Sequence, residues 1–415
     1  MNIWLIYPYG SIPGEGKRPD RAFMIAETLV ADGHTVTWWA SAFDHANKKF
    51  RSKGITNIKI SSKFTICLVP ASGYKKNISF GRILHEKKYA RNIYKISNDI
   101  NPPDVIILSE PALFRSKPIL KLVSKHKSKL VLDILDLWPE IFNIVLPSYF
   151  KFIGNFIFKP WFKRRKNLFT KANAVVAVSE SYIELAKKIN PNIPNELAET
   201  IYFGTNVLAY RDEMNSSEEL PEIFDNFKKN KDEIWVIYAS TLGSNYDVKT
   251  LLKAAKLIES SNTNLKLLIA GEGPLRKDIE SFIKINNLNR TIYIGNPNSK
   301  KMAKIYSFCD IGLSMYLEDS SVTFPIKAFH YFAAGLPIIN SLKGDLCKLL
   351  IKHNAGIQYS AENHESLFQA LNELSSNKNK LKEMSKNSYN LAMNFDQNNQ
   401  YEKFKRILDK ISITI

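Results

Sequence analysis

The first forty residues constrain the fold more than any other part of the chain. Residues 2–8 (NIWLIYP) are a short apolar, aromatic and β-branched run that stops at proline, the pattern of a buried strand. Residues 21–31 (RAFMIAETLVA) space Phe23, Ile25, Ala26, Leu29 and Val30 at helical intervals, and Asp32-Gly33-His34 closes that helix with glycine at the expected C-terminal cap. Residues 35–40 (TVTWWA) read as the next strand. Strand, glycine-bearing loop, helix and strand in this order make a βαβ unit, and hence a parallel sheet.

The alternation continues along the chain. Apolar runs at 104–108 (DVIIL), 130–135 and 174–178 (AVVAV) alternate with Lys-rich helical stretches. Residues 206–232 are charged, carry Asn215-Ser216-Ser217 and Pro221, and show little strand character, so they read as a link holding at most a short helix. A second series follows, with strands at 234–239, 265–270, 291–294, 311–315 and 337–339 and helices at 248–260, 275–285 and 324–334. The expected class is α/β: two doubly wound, Rossmann-like domains facing a central cleft. They span 1–205 and 206–395, and a C-terminal helix at about 396–415 packs back on the first.

At 415 residues the chain has room for two such domains. Three distant cysteines (Cys67, Cys309, Cys347) exclude a disulfide framework and a CxxC metal knuckle, and read as a reducing compartment. No apolar run reaches the ~18 residues of a membrane span, and MNIWLIYPYG lacks the basic start and small-residue cleavage site of a signal peptide. The net charge of +18 is uneven. Residues 1–205 hold 31 Lys/Arg against 16 Asp/Glu, whereas 206–415 hold 27 against 24. The first half is therefore suited to an anionic partner (nucleic acid, phosphorylated substrate or acidic lipid), unless the charge serves solubility alone.

Residues 10–18 (GSIPGEGKR) place three glycines and two basic residues ahead of a helix. The spacing from Gly10 to Gly16 is one residue too long for a nucleotide triphosphatase loop, and Arg18 stands where a magnesium-binding hydroxyl belongs. The loop is either a phosphate cradle of backbone amides or a plain surface loop. Gly271-Glu272-Gly273-Pro274 links a strand to a helix, but Arg276 occupies the third-glycine position of a dinucleotide fingerprint, so a tight turn is the simpler reading. Asp133, Asp136, Trp138 and Glu140 crowd the carboxyl end of a strand, the edge where open α/β sheets bind ligands. With no histidine cluster or DxD pair beside them, they suggest sugar or acceptor contact, or loop capping, rather than a metal. Residues 321–337 (SVTFPIKAFHYFAAGLP) start a helix at Pro325 with Lys327 in its first turn, and His330 and Tyr331 lie three and four residues beyond Lys327. A cation at a helix N-terminus is unfavourable by roughly a few tenths of a kcal/mol, which makes sense if both face a polyanion such as a diphosphate.

Taken together, these blocks resemble the large family 4 of retaining glycosyltransferases, of GT-B architecture. Within it they are most similar to the transferases that assemble bacterial O-antigen and capsule repeats, N-acetylfucosamine transferases among them. The resemblance runs along nearly the whole chain and rests on NIWLIYPY, DGHTVTWWAS, DLWPE, IYASTLG, LLIAGEGP and PIKAFHYFAAGLPII. It implies a nucleotide diphosphate sugar as donor, UDP-linked, held on the second domain by Gly243, Ser244, Gly271, Gly273, Arg276, Pro325, His330 and Tyr331. Lys327 would stabilise the leaving diphosphate, and Asp136 would orient the sugar or the acceptor hydroxyl. Gly14, Gly16, Arg21, Trp138 and Glu140 would serve the acceptor or its phosphate; Arg21 falls where relatives carry an arginine at the start of the first helix. No metal or other cofactor is implied.

Two departures matter. The family's E-x7-E signature would put carboxylates at Val322 and His330. The second glutamate commonly bonds the donor ribose, which a histidine ring nitrogen can also do. The usual Arg and Lys after the first strand of the second domain are replaced by Thr241-Leu242-Gly243-Ser244 and Tyr246, leaving the diphosphate to Lys327 with Arg276, Lys249 or Arg21 as helpers.

Residues 149–171 (YFKFIGNFIFKPWFKRRKNLFTK) interleave aromatic residues with seven basic ones. The stretch suits an interfacial helix, with Phe156 and Trp161 inserting and Lys163, Arg164, Arg165 and Lys166 on an anionic inner-membrane surface. A core helix with a charged outer face is the other reading. No nucleic-acid motif accompanies the basic surface. The expected protein is a cytoplasmic, peripherally membrane-bound glycosyltransferase acting on a lipid-linked or oligosaccharide acceptor in surface polysaccharide assembly. A nucleotide-sugar epimerase of the same fold needs a general-base constellation that the sequence lacks. A non-catalytic sugar- or lipid-binding relative would fit the missing glutamate pair.

Overall fold

The computed structural model describes residues 1–15, 20–140, 142, 156–217, 219–220, 224, 229–243 and 246–413. They divide into two compact units, Met1–Tyr202 with Gln400–Ile415, and Phe203–Asn399.

The first unit is built on eight strands: β1 (Asn2–Ile6), β2 (Thr35–Ser41), β3 (Thr56–Lys59), β4 (Phe64–Val69), β5 (Val105–Glu110), β6 (Lys129–Ile134), β7 (Ala174–Ala177) and β8 (Ala198–Thr200). Their order is β8-β7-β6-β5-β1-β2-β4-β3, parallel throughout except for the β3–β4 edge pair. Strand β4 (FTICLV) lies outside the expected set because Thr65 and Cys67 interrupt its apolar run, yet Ile66, Cys67, Leu68 and Val69 are buried. The helices are α1 (Arg21–Ala31), α2 (Phe80–Ile96), α3 (Ser116–His126), α4 (Lys159–Phe169) and α5 (Glu180–Ile189). Asp20 caps α1 by accepting from the Ala22 amide, and Gly33 leaves it at φ +91°. The sheet core is aromatic: Trp4, Trp38 and Trp39 are fully buried, and Trp4 meets Trp39 edge-on at 4.9 Å, a geometry that adds ~0.5–1.5 kcal/mol to simple burial.

The second unit has six parallel strands: β9 (Ile234–Ala239), β10 (Leu265–Ala270), β11 (Thr291–Tyr293), β12 (Ile311–Ser314), β13 (Ile338–Asn340) and β14 (Gly356–Gln358), in the order β11-β10-β9-β12-β13-β14. Its helices are α6 (Val207–Met214), α7 (Val248–Ser260), α8 (Arg276–Ile285), α9 (Ser299–Tyr306), α10 (Ile326–Ala334), α11 (Asp345–His353), α12 (His364–Ser376) and α13 (Lys378–Asn394). The stretch read as a link contains α6, and this helix is no free connector. Asn206 caps it, and Val207, Tyr210 and Met214 are buried on a face that packs on α9 and α10. The last helix, α14 (Gln397–Ile413), belongs to the first unit from Gln400 onward, where the Tyr202 amide donates to Gln400 Oε1 at 3.1 Å.

Strand order reverses between β1 and β5 in the first unit and between β9 and β12 in the second. The carboxyl ends of those strands are where a doubly wound sheet opens a crevice for a ligand.

Candidate functional site

At the β9/β12 reversal the second unit gathers one cation and three phenols. Lys327 sits in the first turn of α10, and its Nζ donates to Ser240 Oγ at 3.0 Å, just past the end of β9. The rings of Tyr238, Tyr316 and Tyr246 stand 5.0, 5.1 and 5.4 Å from the same nitrogen. Such distances suit cation–π attraction, which grows as water is excluded. No carboxylate pairs with Lys327 among the described residues, and burial lowers its ammonium to about 7. The helix adds its positive end at the same place, because Pro325 is the N-cap and no side chain caps α10. The result is a site for a cation with no carboxylate paired to it among the described residues.

The glycine turn supports this site by holding the loop that follows β9. Gly271 has φ +134°, and a Cβ there would lie 1.8 Å from Ser240 O; one on Gly273 would lie 2.3 Å from Leu242 O. The Leu242 amide donates to Glu272 O and the Leu275 amide to Leu242 O, both at 3.0 Å. The two strand-end loops are thus clasped together, and this close approach, as the tight-turn reading expects, is why glycine stands there. Gly243 lies on the clasped loop. Arg276 is committed to Glu272 and Glu280 at 3.2 and 3.4 Å and lies over the Tyr293 ring, while Lys249 is a solvated residue of α7.

Tyr331, expected among the donor contacts, points into the unit instead. Tyr331 is fully buried: its hydroxyl contacts Ile237 O, Leu313 O and the Ala239 amide at 3.3–3.4 Å, and its ring fills the space that a Cβ on Gly312 would take. It seats α10 on the sheet rather than facing a ligand. His330 lies flat on Tyr210 of α6, with ring centroids 5.2 Å apart and planes within 5°.

In the first unit the strand-end residues form a tight polar and aromatic group. The Arg82 guanidinium is bracketed by the rings of Trp138 at 4.5 Å and Tyr9 at 4.8 Å, and its Nε donates to the Tyr9 hydroxyl at 3.3 Å. Asp136 accepts from the Leu137 amide at 2.9 Å, and burial raises its carboxyl above the ordinary range. Glu140 pairs with Arg165 Nη1 at 2.6 Å, and the same nitrogen donates to Trp138 O. Gly14 is exposed at φ +91°, with Glu15 beside it tied to Arg51.

Arg21 is not available to a phosphate. Its side chain is 1% exposed and donates to both oxygens of Asp133, at 2.7 and 2.9 Å. The basic α4 is likewise split: Lys163, Arg164 and Lys166 are exposed and Phe156 is 77% exposed, but Arg165 is buried and Trp161 packs among Phe114, Phe142 and Phe158. Arg165 and Trp161 therefore leave the set of surface-binding residues. Gly16, Ser244 and residues 149–155 lie outside the described residues.

Sequence reading missed Tyr238, Tyr316 and Arg82, and noted Tyr246 only as a replacement for a usual basic residue. The tyrosines do stand at strand or loop ends in the second series, which is the signal that was available. Among the described residues no group of His, Cys, Asp and Glu could hold a metal ion, and no helix is long and apolar enough to cross a membrane.

Residues 219–391 match the family model of glycosyl transferases group 1. Among curated proteins, a chitobiosyldiphosphodolichol beta-mannosyltransferase of Candida albicans is 24% identical over 257 residues, 58% of this chain and 51% of that protein. The chain thus spans about half the length of the curated relatives it matches. Sucrose-phosphate synthase from Thermosynechococcus elongatus superposes with a TM-score of 0.72 at 16% identity, covering 100% of both chains. HepE of Anabaena, in complex with UDP, superposes at 0.67 and 13% identity, covering 99% of this chain and 100% of that one. The chain has the GT-B fold, two Rossmann-like domains, and its residues 219–391 carry the match to the group 1 glycosyl transferases.

Proposed function

We propose that the protein is a retaining, metal-independent glycosyltransferase of the hexosyl or N-acetylhexosaminyl type. It moves a sugar from a nucleotide diphosphate donor, UDP-linked, to a lipid-linked or oligosaccharide acceptor in bacterial surface polysaccharide assembly. The observation that carries this reading is Lys327: a cation at the reversal point of the second sheet, enclosed by tyrosines, with a helix N-terminus beside it and no carboxylate paired to it among the described residues. A diphosphate supplies the missing charge. The bond from the anomeric carbon to the phosphate oxygen breaks as the acceptor oxygen bonds to that carbon. The acceptor proton passes to the departing phosphate, so no protein nucleophile is needed. Lys327 and the helix dipole stabilise the charge that develops on the leaving group. In the first unit, Asp136 orients the sugar or the acceptor hydroxyl.

Several findings favour the finer points. HepE binds UDP, and the Candida relative's name includes a lipid diphosphate. Exposed Phe156 and Ile157 beside Lys163, Arg164 and Lys166 fit peripheral attachment to an anionic inner-membrane surface, with the protein in the cytoplasm.

The test is a thermal-shift panel of nucleotide sugars followed by an assay for acceptor-dependent release of the nucleoside diphosphate. Binding without release would make the protein a binder, and conversion of the donor sugar without transfer would make it an epimerase. The product's anomeric configuration separates retention from inversion, which would require Asp136 to take the proton itself. His330 is expected to touch the ribose: His330→Ala should raise the donor KM about 5-fold, the scale of one hydrogen bond, and His330→Glu should restore it. Loss of stability in both variants with unchanged KM would reduce His330 to its stacking on Tyr210.

A further inference from the structure

A diphosphate brings more negative charge than one lysine neutralises. Two other cations of the second unit were candidates to share it, but Arg276 is held by Glu272 and Glu280, and Lys249 is exposed on α7. The further contacts that a diphosphate needs must then come from neutral donors. The three phenols around Lys327 are not equivalent in this respect. Tyr238 is fully buried, hydroxyl included. Tyr316 is 5% exposed, and burial pushes its phenol well above the ordinary range. These two are walls of the enclosure. Tyr246 is half-buried and differs from both. Lys327 Nζ lies over its ring at 5.4 Å, Tyr316 tilts against it at 5.2 Å with planes 47° apart, and the ring packs on the apolar core of the unit. With the ring so occupied, the hydroxyl is the part of Tyr246 left to meet a ligand. No described residue shares a hydrogen bond with it.

Local structure fixes where that residue stands. Tyr246 lies between the loop clasped by the glycine turn and the first turn of α7. Its amide donates to Gly243 O at 3.1 Å, and the Val248 amide donates to Tyr246 O at 2.9 Å. Next to it, the buried Asp247 caps α7, accepting from the Thr250 amide at 3.3 Å and from the Glu362 amide at 2.9 Å. A backbone held on both sides loses little further freedom when a ligand arrives. A donor placed on it is therefore ready for charge that develops in a transition state.

We infer that Tyr246 is a catalytic residue whose hydroxyl donates to a non-bridging oxygen of the departing diphosphate, beside the Lys327 ammonium. A neutral donor adds no repulsion next to that cation, and its hydrogen bond strengthens as negative charge gathers on the oxygen. The phenol keeps its proton throughout, and no bond forms to it. The inference rests on the proposed diphosphate donor and deepens that reading by naming a second group that meets the leaving charge.

The experiment measures, by calorimetry on the full chain, the binding of UDP, GDP and dTDP and of their sugar esters, together with turnover of the ester that binds. Tyr246→Phe keeps the ring and loses only the hydroxyl, so it should unfold at the wild-type temperature. It should weaken the free diphosphate about 10-fold, the scale of one hydrogen bond to a charged group, and the sugar ester only about 2-fold, because the esterified phosphate carries less charge. Turnover should fall about 10²-fold. A packing role would lower the unfolding temperature of Tyr246→Leu while Tyr246→Phe bound and turned over like the wild type, and that result overturns the inference. Equal weakening of diphosphate and ester at unchanged turnover overturns it too. If Lys327→Met loses the diphosphate while Tyr246→Phe behaves as wild type, Tyr246 leaves the site and the diphosphate reading stands. A wild type that binds none of the three diphosphates overturns both.

Discussion

Asp133→Ala is expected to destabilise the first unit by about 3–5 kcal/mol, the cost of leaving a buried charge unpaired. Arg21 Nε and Nη2 donate to the two oxygens of Asp133, and both side chains are out of water. The Tyr7 hydroxyl donates to the same carboxylate, and its burial beside Asp133 raises it well above the ordinary phenol range, so it cannot serve as a replacement anion. The surroundings of the guanidinium also include the rings of Tyr401 and Phe404, each 5.5 Å away, and the Tyr202 carbonyl at 3.4 Å. The substitution thus removes the carboxylate from a buried cation. Against a typical total of about 5–15 kcal/mol, that loss should appear plainly as a lower denaturant midpoint. The double variant Arg21→Met with Asp133→Leu removes both charges and should recover most of it. A wild-type midpoint in Asp133→Ala would show that the pair contributes nothing. A double variant as unstable as the single one would show that Arg21 is needed for more than its charge balance.

Arg21 also shows where sequence reading reaches its limit. Its position at the first turn of α1 is local information, carried by the Asp20 cap and the apolar spacing that follows. Its partner stands 112 residues away, at the end of β6, and no periodicity announces it. The strands of the second unit are legible for the complementary reason: a parallel strand buried on both faces is a continuous apolar run, as IWVIYA and LKLLIA are. The edge strand β3 is short and polar, and Thr65 and Cys67 interrupt the apolar run of β4 beside it, so neither leaves such a trace. Lys327 was visible from the Pro325 start and the helix it opens. The enclosure around it was not, because Tyr238, Tyr246 and Tyr316 come from three separate segments that only the sheet order brings together. Arg165 makes the opposite case. Composition puts it with its basic neighbours, whereas the helix turns it inward to Glu140.

Lys327→Ala is expected to cut turnover about 10²-fold or more, the scale of losing one positioned charge at a leaving group, with the fold retained. Lys327→Met, which fills the space among the tyrosine rings without the charge, should be as inactive, and that separates charge from packing. The pH dependence of donor binding gives a second measure. Burial lowers the ammonium from an ordinary 10.5 to about 7, so near neutrality the free protein is partly deprotonated. A diphosphate binds the charged form and pulls the value back up, so binding takes up a proton. Donor affinity should fall as pH rises above about 7, by up to roughly tenfold per pH unit, until the value in the complex is reached. Calorimetry above neutral pH, in buffers of different ionisation enthalpy, should register that proton. Stability of the free protein has the opposite sign: below about 7 the charged lysine opposes folding, and the penalty fades as pH rises towards 10.5, because the unfolded chain holds the extra proton in that window. A folded Lys327→Met variant that binds donor like the wild type, together with wild-type binding that is flat from about pH 6 to 9, would remove Lys327 from the diphosphate. Weaker binding at high pH that disappears in Lys327→Met would tie the proton to this one nitrogen, whose low value is set by burial.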